Sequence, residues 1–189
     1  LIVAPRAGER ILDLCAGFGG KTTHLGMLMA NTGRIIAVDR SSWKLHELSQ
    51  NAHRQGLTTV TTVVGDVREL SPAKLGQFDR VLLDAPCSGF GTLRRKPDIK
   101  WRRHPKDPYR FSQQQRELLE RASLFVRKGG ILVYATCTTF SEEDEWVVED
   151  FGRGHRDFDL EAAGDSLPTT CRDLVPTKCF KSWPHRHGV

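Results

Sequence analysis

The chain has 189 residues, of which 39% are hydrophobic and 27% are charged, a composition typical of a single globular domain with one core. No apolar run approaches the roughly 18 residues of a membrane-spanning helix, so we expect no membrane partner. The five cysteines show no CxxC or zinc-finger spacing. This argues against a disulfide framework and a structural metal site, and it favours the reducing cytoplasm as the location.

The net charge of +5 is concentrated in residues 94–110, which we call the basic segment. It holds eight Lys or Arg against two Asp, whereas the other 172 residues carry a net charge of −1. Such clustering, with Trp101 and Tyr109 interleaved, is typical of a contact with nucleic-acid phosphates, although a solvated loop is the alternative. The predicted contacts are Arg94, Arg95, Lys96, Lys100, Trp101, Arg102 and Arg103.

Short β-branched runs alternate with helical patterns. Apolar residues at helical spacing predict a helix over 111–128, which Gly129-Gly130 would end before the next strand. Ser141-Glu-Glu-Asp144 has the pattern of a capping box and predicts another helix start. The predicted strands are 10–14, 34–38, 59–64, 80–84 and 131–135, and the other predicted helices lie near 20–30 and 41–55.

Strands that alternate with helices predict an α/β fold with a mostly parallel, doubly wound sheet and ligands at the carboxyl ends of its strands. We treat residues 1–189 as one domain. Residues 86–110 are predicted to form a long loop, and long loops in compact domains are usually functional. The chain starts at Leu1 rather than Met, and we expect it to be a fragment.

A glycine-rich turn follows the first predicted strand, in Asp13-Leu-Cys-Ala-Gly-Phe-Gly-Gly-Lys-Thr-Thr. Glycines at such a turn let a ligand approach the backbone N–H groups. A Walker A loop needs glycine where Cys15 stands, and a dinucleotide fingerprint needs a small residue where Thr22 stands. The remaining interpretation is the glycine loop of an S-adenosylmethionine site.

Two acids end the next two predicted strands and support that interpretation. Asp39 could accept both ribose hydroxyls, and Asp66 could accept from the adenine amino group. Either acid alone is typical of an ordinary strand-end turn, but three such features at successive strand ends favour a cofactor site. The predicted cofactor contacts are Cys15, Ala16, Gly17, Phe18, Gly19, Gly20, Lys21, Asp39, Arg40, Asp66, Val67 and Asp84.

Cys87 and Cys137 each lie just past a strand-like run, in Asp84-Ala-Pro-Cys-Ser-Gly and Tyr134-Ala-Thr-Cys. A thiol near a helix start can have a lowered pKa and act as a nucleophile, and the predicted helix at Ser141 would favour a thiolate at Cys137. A buried, inert cysteine is the alternative for any single thiol, and it suits Cys15. Two such thiols indicate a covalent intermediate and a separate step that resolves it.

Together these motifs resemble the Sun family of RNA (cytosine-5) methyltransferases, of the bacterial ribosomal RNA type. The chain departs from the family at Gly17-Phe18, where Ala-Pro is usual, and at Ala135, where Ser is usual. The resemblance covers nearly the whole chain. It rests on Asp13-Leu-Cys-Ala, Gly19-Gly-Lys-Thr22, Asp84-Ala-Pro-Cys-Ser-Gly, Gly91-Thr92, Arg94, Pro97, Trp101, Tyr134-Ala-Thr-Cys137 and Pro184-His-Arg-His-Gly188.

The resemblance implies a Rossmann-like methyltransferase fold, S-adenosylmethionine as cofactor, no metal, and ribosomal RNA as substrate. The reaction would methylate carbon 5 of a cytosine through a cysteine adduct at carbon 6. Cys137 would be the nucleophile, and Cys87 would help release the product. Asp84 would hold the cytosine edge, and Lys21 would lie near the reacting centre.

We expect a monomer. By comparison with full-length members of the family, the chain lacks the RNA-binding domain and the last strand. Three different functions stay open at this point. A DNA-type enzyme would use Cys87 rather than Cys137 as the nucleophile. A binding module would hold cofactor and RNA without turnover, and an NTPase would bind its nucleotide at Gly20-Lys-Thr.

Overall fold

The structure is a computed structural model that describes residues 2–167, 170, 174–175 and 178–183. The motif at 184–188 therefore lies outside the described residues. The chain divides into two compact units. The sheet unit comprises Pro5–Ala85 and Glu117–Ala135, and the thiol unit comprises Leu1–Ala4, Pro86–Arg116 and Thr136–Val189.

The sheet unit is built on five parallel strands in the order β3-β2-β1-β4-β5. Most residues of the central strands β1, β2 and β4 are buried, and nearly all of the buried ones are apolar, as expected for parallel strands covered on both faces. The predicted α/β fold with a parallel sheet is thus confirmed. The strands are β1 (Arg10–Leu14), β2 (Arg34–Asp39), β3 (Val60–Val64), β4 (Phe78–Asp84) and β5 (Val126–Ala135).

Six α-helices are described, and the first two flank the glycine turn. The second of them begins after Ser41, whose hydroxyl accepts a hydrogen bond from the Lys44 N–H at 3.4 Å, and its buried face carries Leu45, Leu48 and Ala52. The helices are α1 (Gly20–Leu28), α2 (Ser42–Arg54), α3 (Pro72–Leu75), α4 (Ile99–Arg102), α5 (Asp107–Ser123) and α6 (Glu145–Gly154).

The strand order reverses between β1 and β4, which makes their carboxyl ends the topological switch point of the sheet. Leu14 of β1 pairs with Leu83 of β4, so the two strands end at the same level. Ligands of open α/β sheets bind in the crevice at this point. The glycine turn follows β1, and Asp84 ends β4, so this edge of the sheet carries the candidate site.

The predicted helix over 111–128 is displaced along the chain, because helix α5 already begins at Asp107. Helix α5 ends at Ser123, and the fully buried Phe125 accepts a backbone hydrogen bond from Phe78 at 2.8 Å. Strand β5 begins at Val126, and its register with β4 is irregular where Gly129 and Gly130 lie. A Cβ on Gly130 would lie 2.9 Å from the Arg127 carbonyl oxygen, so these glycines serve strand pairing rather than a helix stop.

Two further predictions are wrong. The segment 86–110 is not a continuous loop, because it contains a short 3-10 helix at Phe90–Thr92, helix α4 and the start of α5. Helix α6 begins at Glu145, and its N-cap, Asp144, makes no capping bond through its side chain. The proposed capping box at Ser141 is therefore absent, and it cannot supply a helix dipole next to Cys137.

Within the described residues, no helix combines the length and apolar character needed to cross a membrane. The same residues contain no cluster of three His, Cys, Asp or Glu side chains that could bind a metal ion.

Candidate active site

The glycine turn of the sheet unit is held by Asp39. One oxygen of this carboxylate accepts the N–H of Gly17 at 2.9 Å, and the other accepts the N–H of Ser41 at 2.9 Å. Gly17 has a φ of 57°, a left-handed conformation that glycine adopts without strain. The predicted cofactor residues Gly17 and Asp39 are therefore in contact, with the acid bracing the turn.

Gly19 is required by the packing of the turn against α2. Its φ is 80°, and a Cβ at this position would lie 2.2 Å from Cγ of the buried Leu48. Helix α1 starts at the next residue, so the N–H groups of its first turn have no partner within the helix. Such a helix start after a glycine turn suits a ligand that approaches the backbone closely.

Asp13 is fully buried beneath this turn. Its Oδ2 accepts the Thr22 hydroxyl at 2.6 Å, whereas Oδ1 has no hydrogen-bond partner among the described residues. Burial, with a smaller effect of the neighbouring Asp84 charge, raises the pKa of Asp13 to about 7. Sequence reasoning treated Asp13 only as part of a motif, since nothing in the sequence shows that one oxygen is unsatisfied.

Lys21 and Asp84, two predicted catalytic residues, form an ion pair with a Nζ–Oδ2 distance of 2.6 Å. Lys21 lies in the first turn of α1, and Asp84 is the last residue of β4. Both side chains are partly exposed, so the pair adds little to stability. The ion pair instead fixes a position, because the Lys21 ammonium holds the Asp84 carboxylate at the switch point.

Two predicted cofactor contacts, Cys15 and Asp66, have strongly shifted pKa values. Burial, followed by the charges of nearby acids, raises the pKa of Cys15 to about 12, so its thiol stays neutral, as the inert interpretation predicts. Both oxygens of Asp66 are held by Arg68, at 3.0 and 2.6 Å, and these hydrogen bonds lower the pKa of Asp66 to about 2. The adenine contact of Asp66 stays a prediction.

The other predicted cofactor residues lie around the same turn. Phe18 is 51% exposed and meets Trp43 edge to face, with ring centroids 5.2 Å apart. Ala16 donates its N–H to the Val38 carbonyl at 2.9 Å, and Arg40 lies 3.8 Å from Asp66. Val67 is buried. Trp43 belongs to no sequence motif, and its contact with Phe18 was not predicted.

In the thiol unit, Cys87 and Cys137 lie side by side, with a Sγ–Sγ distance of 3.2 Å. The N–H of Cys137 also donates to Sγ of Cys87 at 3.3 Å. Cys137 is exposed, and Cys87 is partly buried. The contact with the Cys137 thiol and then burial raise the pKa of Cys87 far above its usual range, so Cys87 is a neutral thiol and Cys137 is the accessible one.

Glu143, which is fully buried, joins the two cysteine loops. Its carboxylate accepts the Ser88 N–H at 2.7 Å, the Thr138 hydroxyl at 3.2 Å and the Gln115 amide at 3.1 Å. The Ser88 and Thr138 hydroxyls are also 2.9 Å apart. Ser88 follows Cys87 and Thr138 follows Cys137, so one carboxylate sets the relative position of the two thiols.

Glu143→Ala is expected to lower the free energy of unfolding by about 2–4 kcal/mol, because three buried donors lose a charged acceptor. Glu143→Gln should lose less, since it keeps one acceptor oxygen. Urea unfolding measures both changes. Glu149→Ala, on the exposed face of α6, is the matched control, and a Glu143→Ala loss no larger than the control would show that the carboxylate does not hold the loops.

The basic segment also braces these loops. Arg103 donates through Nε to the Ser88 carbonyl at 2.8 Å and through Nη2 to the Cys87 carbonyl at 3.4 Å. Gly91 donates its N–H to the Cys137 carbonyl at 3.0 Å, and a Cβ there would lie 2.9 Å from that oxygen. Arg103, predicted to contact RNA, therefore has a bracing role within the unit.

The remaining predicted RNA contacts stay predictions. Trp101 is 81% exposed and lies beneath the Lys100 ammonium, 4.9 Å from the ring centroid. Arg102 pairs with Asp98 at 3.2 Å. Arg94, Arg95 and Lys96 are exposed.

Asp144 anchors the residue before Cys137. It accepts a short hydrogen bond from the Thr136 hydroxyl, and Lys181 lies 3.6 Å away. Burial raises the pKa of Asp144 to about 6. Because this side chain is directed to Thr136 and Lys181, it does not cap α6.

Comparisons with known proteins find a matching family and relatives that are named as rRNA methyltransferases. The family model for 16S rRNA methyltransferase RsmB/F matches residues 1–189. The chain is 38% identical over 187 residues to the probable ribosomal RNA small subunit methyltransferase B of Bacillus subtilis (strain 168), which covers 98% of the chain and 42% of that protein. It is 42% identical over 153 residues to the Homo sapiens 28S rRNA (cytosine(4447)-C(5))-methyltransferase, covering 79% of the chain and 19% of that protein.

Among solved structures, NSun6 from Pyrococcus horikoshii with SFG matches with a TM-score of 0.84 and 33% identity, covering 98% of this chain and 46% of that one. The chain thus spans less than half the length of each of these relatives.

Proposed function

We propose, from the premise that this chain belongs to the RsmB/F family of 16S rRNA methyltransferases, that it methylates carbon 5 of a cytosine in ribosomal RNA. The observation that carries the proposal is the thiol pair, with the exposed Cys137 and the neutral Cys87 3.2 Å apart. The names of the bacterial and human relatives support the substrate class. We further propose that the protein is monomeric and acts in the cytoplasm.

The thiol pair suits this reaction because carbon 5 of cytosine is a poor nucleophile. Addition of the Cys137 thiolate to carbon 6 converts the ring to an enamine, whose carbon 5 can accept a methyl group. After a base removes the proton from carbon 5, the bond between Cys137 and carbon 6 breaks and the thiolate leaves. The Cys87 thiol can donate a hydrogen bond to the departing sulfur, which fits a role in release.

The residues of the sheet unit fit S-adenosylmethionine, which supplies the methyl group when bound. Asp39 and the glycine turn would hold its nucleoside end. A buried acceptor without a protein partner, such as Oδ1 of Asp13, suits the ammonium group of the methionine end. Asp84, oriented by Lys21 at 2.6 Å, would accept hydrogen bonds from the amino edge of the cytosine.

The pyrimidine that reacts has to leave any base stack, because carbon 6 is inaccessible within one. We therefore propose an unpaired or flipped cytosine as the reacting base. The basic segment, with its local excess of six positive charges, would neutralise the flanking phosphates.

Calorimetry and methylation assays test the proposal. We expect the chain to bind S-adenosylmethionine and not ATP, and to transfer tritiated methyl groups to transcribed small-subunit rRNA at one cytosine that bisulfite sequencing identifies. Asp39→Asn should weaken cofactor binding about 10-fold or more, since hydrogen bonds to a charged group are worth about 1.5–3 kcal/mol. Cofactor binding without methyl transfer would favour the module without turnover, and ATP binding would favour the NTPase.

A further inference from the structure

A cavity of about 360 Å³ in the thiol unit has no role in the reaction proposed above. Neither Cys87 nor Cys137 is among the described residues that line it. The cytosine under attack must bring its carbon 6 within bonding distance of Cys137 Sγ, so this base is not the occupant. The lining includes Phe90, Arg103, His104, Tyr109, Phe140 and Glu142.

The walls of the cavity suit a flat aromatic ring. Phe90 and Phe140 meet at an angle of 68°, with centroids 5.0 Å apart, and both rings are only partly buried. Tyr109 is 58% exposed. Aromatic side chains stack on the face of any nucleobase, and the volume lies at the small end of ligand pockets. These walls therefore fit a single ring system rather than a folded chain segment.

The polar groups of the lining complement a base edge. Glu142 offers a carboxylate that accepts hydrogen bonds from ring or amino N–H groups. The Nδ1 atom of His104 faces the Lys106 N–H at 3.4 Å, which leaves Nε2 as the protonated nitrogen of the neutral ring and a donor to a base carbonyl. A nucleobase presents both kinds of group.

The cavity lies next to Cys137 along the chain. Phe140 follows Cys137 by three residues, which limits their Cα–Cα distance to about 11 Å. Gly91, which follows Phe90, donates to the Cys137 carbonyl at 3.0 Å. Arg103, His104 and Tyr109 belong to the basic segment, so the surrounding charge is complementary to an RNA backbone.

We propose that this cavity binds the unpaired base of an RNA nucleotide one or two positions from the target cytosine. The inference rests on the proposed function and adds a second recognised base to it. Stacking in the cavity would hold the strand in place while the neighbouring cytosine reaches Cys137.

Abasic substitution combined with mutation tests this inference. A short RNA centred on the mapped cytosine is made with one abasic nucleotide at each of the two positions on either side. For the wild type, we expect one abasic position to raise KM about 5- to 150-fold, the range for loss of base–aromatic stacking, with little change in kcat. Phe140→Ala should raise KM for the intact RNA and show no further increase with that abasic RNA.

Phe158→Ala is the matched control, because Phe158 packs against Phe151 in the thiol unit and does not line the cavity. This variant should show the same increase in KM with the abasic RNA as the wild type. Phe140→Leu, which keeps the apolar volume but removes the ring, replaces Phe140→Ala if the latter does not fold. The inference would be overturned by an equal increase in KM with the abasic RNA in the wild type and the Phe140 variant. It would also be overturned if no abasic position raised the KM of the wild type.

Fluorescence of 2-aminopurine at the same four positions separates this inference from the proposed reaction, since it needs no turnover. We expect quenching at one position by the wild type and by Phe158→Ala, and none by the Phe140 variant. Quenching without any methyl transfer would contradict the proposed function and leave the base site standing. Methyl transfer without position-specific quenching would contradict the base site alone.

Discussion

Cys137→Ala is expected to abolish the covalent complex with RNA that carries 5-fluorocytosine at the target, whereas Cys87→Ala retains or accumulates it. The fluorine cannot leave as a proton, so an adduct formed by the nucleophile persists. Cys137 is the exposed thiol, and the pKa of Cys87 is raised by its contact with Cys137 and by burial, so we expect Cys137 to attack the base while Cys87 stays protonated. Methyl transfer by Cys137→Ala should fall roughly 10³-fold or more, as for loss of other covalent nucleophiles.

Denaturing gel electrophoresis of the trapped complex gives the result directly. Cys179→Ala is the matched control, because Cys179 is a partly buried cysteine of the same unit, and it should trap like the wild type. Loss of the adduct in Cys87→Ala, with trapping retained in Cys137→Ala, would reverse the roles and support the DNA-type arrangement. Trapping by both single variants would show that neither thiol is uniquely the nucleophile.

The sheet could be predicted from the sequence because its strands are short apolar runs separated by turn residues. All five predicted strands are present, and α1 and α2 begin within one residue of their predicted positions. The helix predicted over 111–128 fails at residues 124–130 for a physical reason. Phe125 and Val126 continue the helical spacing of α5, but Phe125 is buried next to β4, and tertiary burial outweighs the local pattern.

The candidate site was predictable only where a motif marks it. The glycine turn, Lys21, Asp84 and the two cysteines belong to motifs. Glu143 stands only within the proposed capping box, and no motif marks its contact with the two cysteine loops, because two of its three donors, Ser88 and Gln115, lie far away along the chain. The capping box at Ser141 failed for a similar reason, since Thr136 and Lys181 hold the Asp144 side chain. Such partners are fixed by the tertiary fold and leave no local signal.

Asp13→Asn is expected to remove a pH-dependent cost of folding. Burial raises the pKa of Asp13 from 3.8 to about 7 in the folded chain, so the folded state binds its proton more tightly than the unfolded state. Below about pH 4 both states are protonated, and the carboxyl group has no effect. As the pH rises from 4 to 7, the unfolded chain releases its proton first, and stability falls; above pH 7 the loss is complete.

Urea unfolding of the wild type and Asp13→Asn at pH 4.5 and pH 8 measures this cost. The difference in free energy of unfolding between the two proteins should shift in favour of the variant by on the order of 3 kcal/mol from the lower to the higher pH. Asp144, whose pKa is also raised, is present in both proteins, so its contribution cancels. Asparagine keeps an acceptor for the Thr22 hydroxyl, so the 2.6 Å contact can persist.

Asp79→Asn is the matched control, because the pKa of Asp79 is shifted in the opposite direction to that of Asp13. In Asp79, the Arg10 N–H lowers the pKa of the carboxyl group, so its stabilisation is present above the unfolded pKa and is lost only as the pH falls through the folded one. Asp79→Asn should therefore be less stable than the wild type at pH 8. If the free energy of unfolding changes with pH equally in the wild type and in Asp13→Asn, Asp13 is not held protonated by burial.

The same variant tests why the chain keeps a destabilising acid. If Oδ1 of Asp13 accepts the ammonium group of S-adenosylmethionine, Asp13→Asn should weaken cofactor binding at pH 8 about 10-fold or more by calorimetry, since it removes a charge-assisted hydrogen bond in a buried site. Asp79→Asn should bind like the wild type. A variant that gains stability at pH 8 and binds the cofactor unchanged would confirm the burial cost while excluding Asp13 from the cofactor site. Gained stability with lost affinity would show that this carboxylate is retained for binding at the expense of folding.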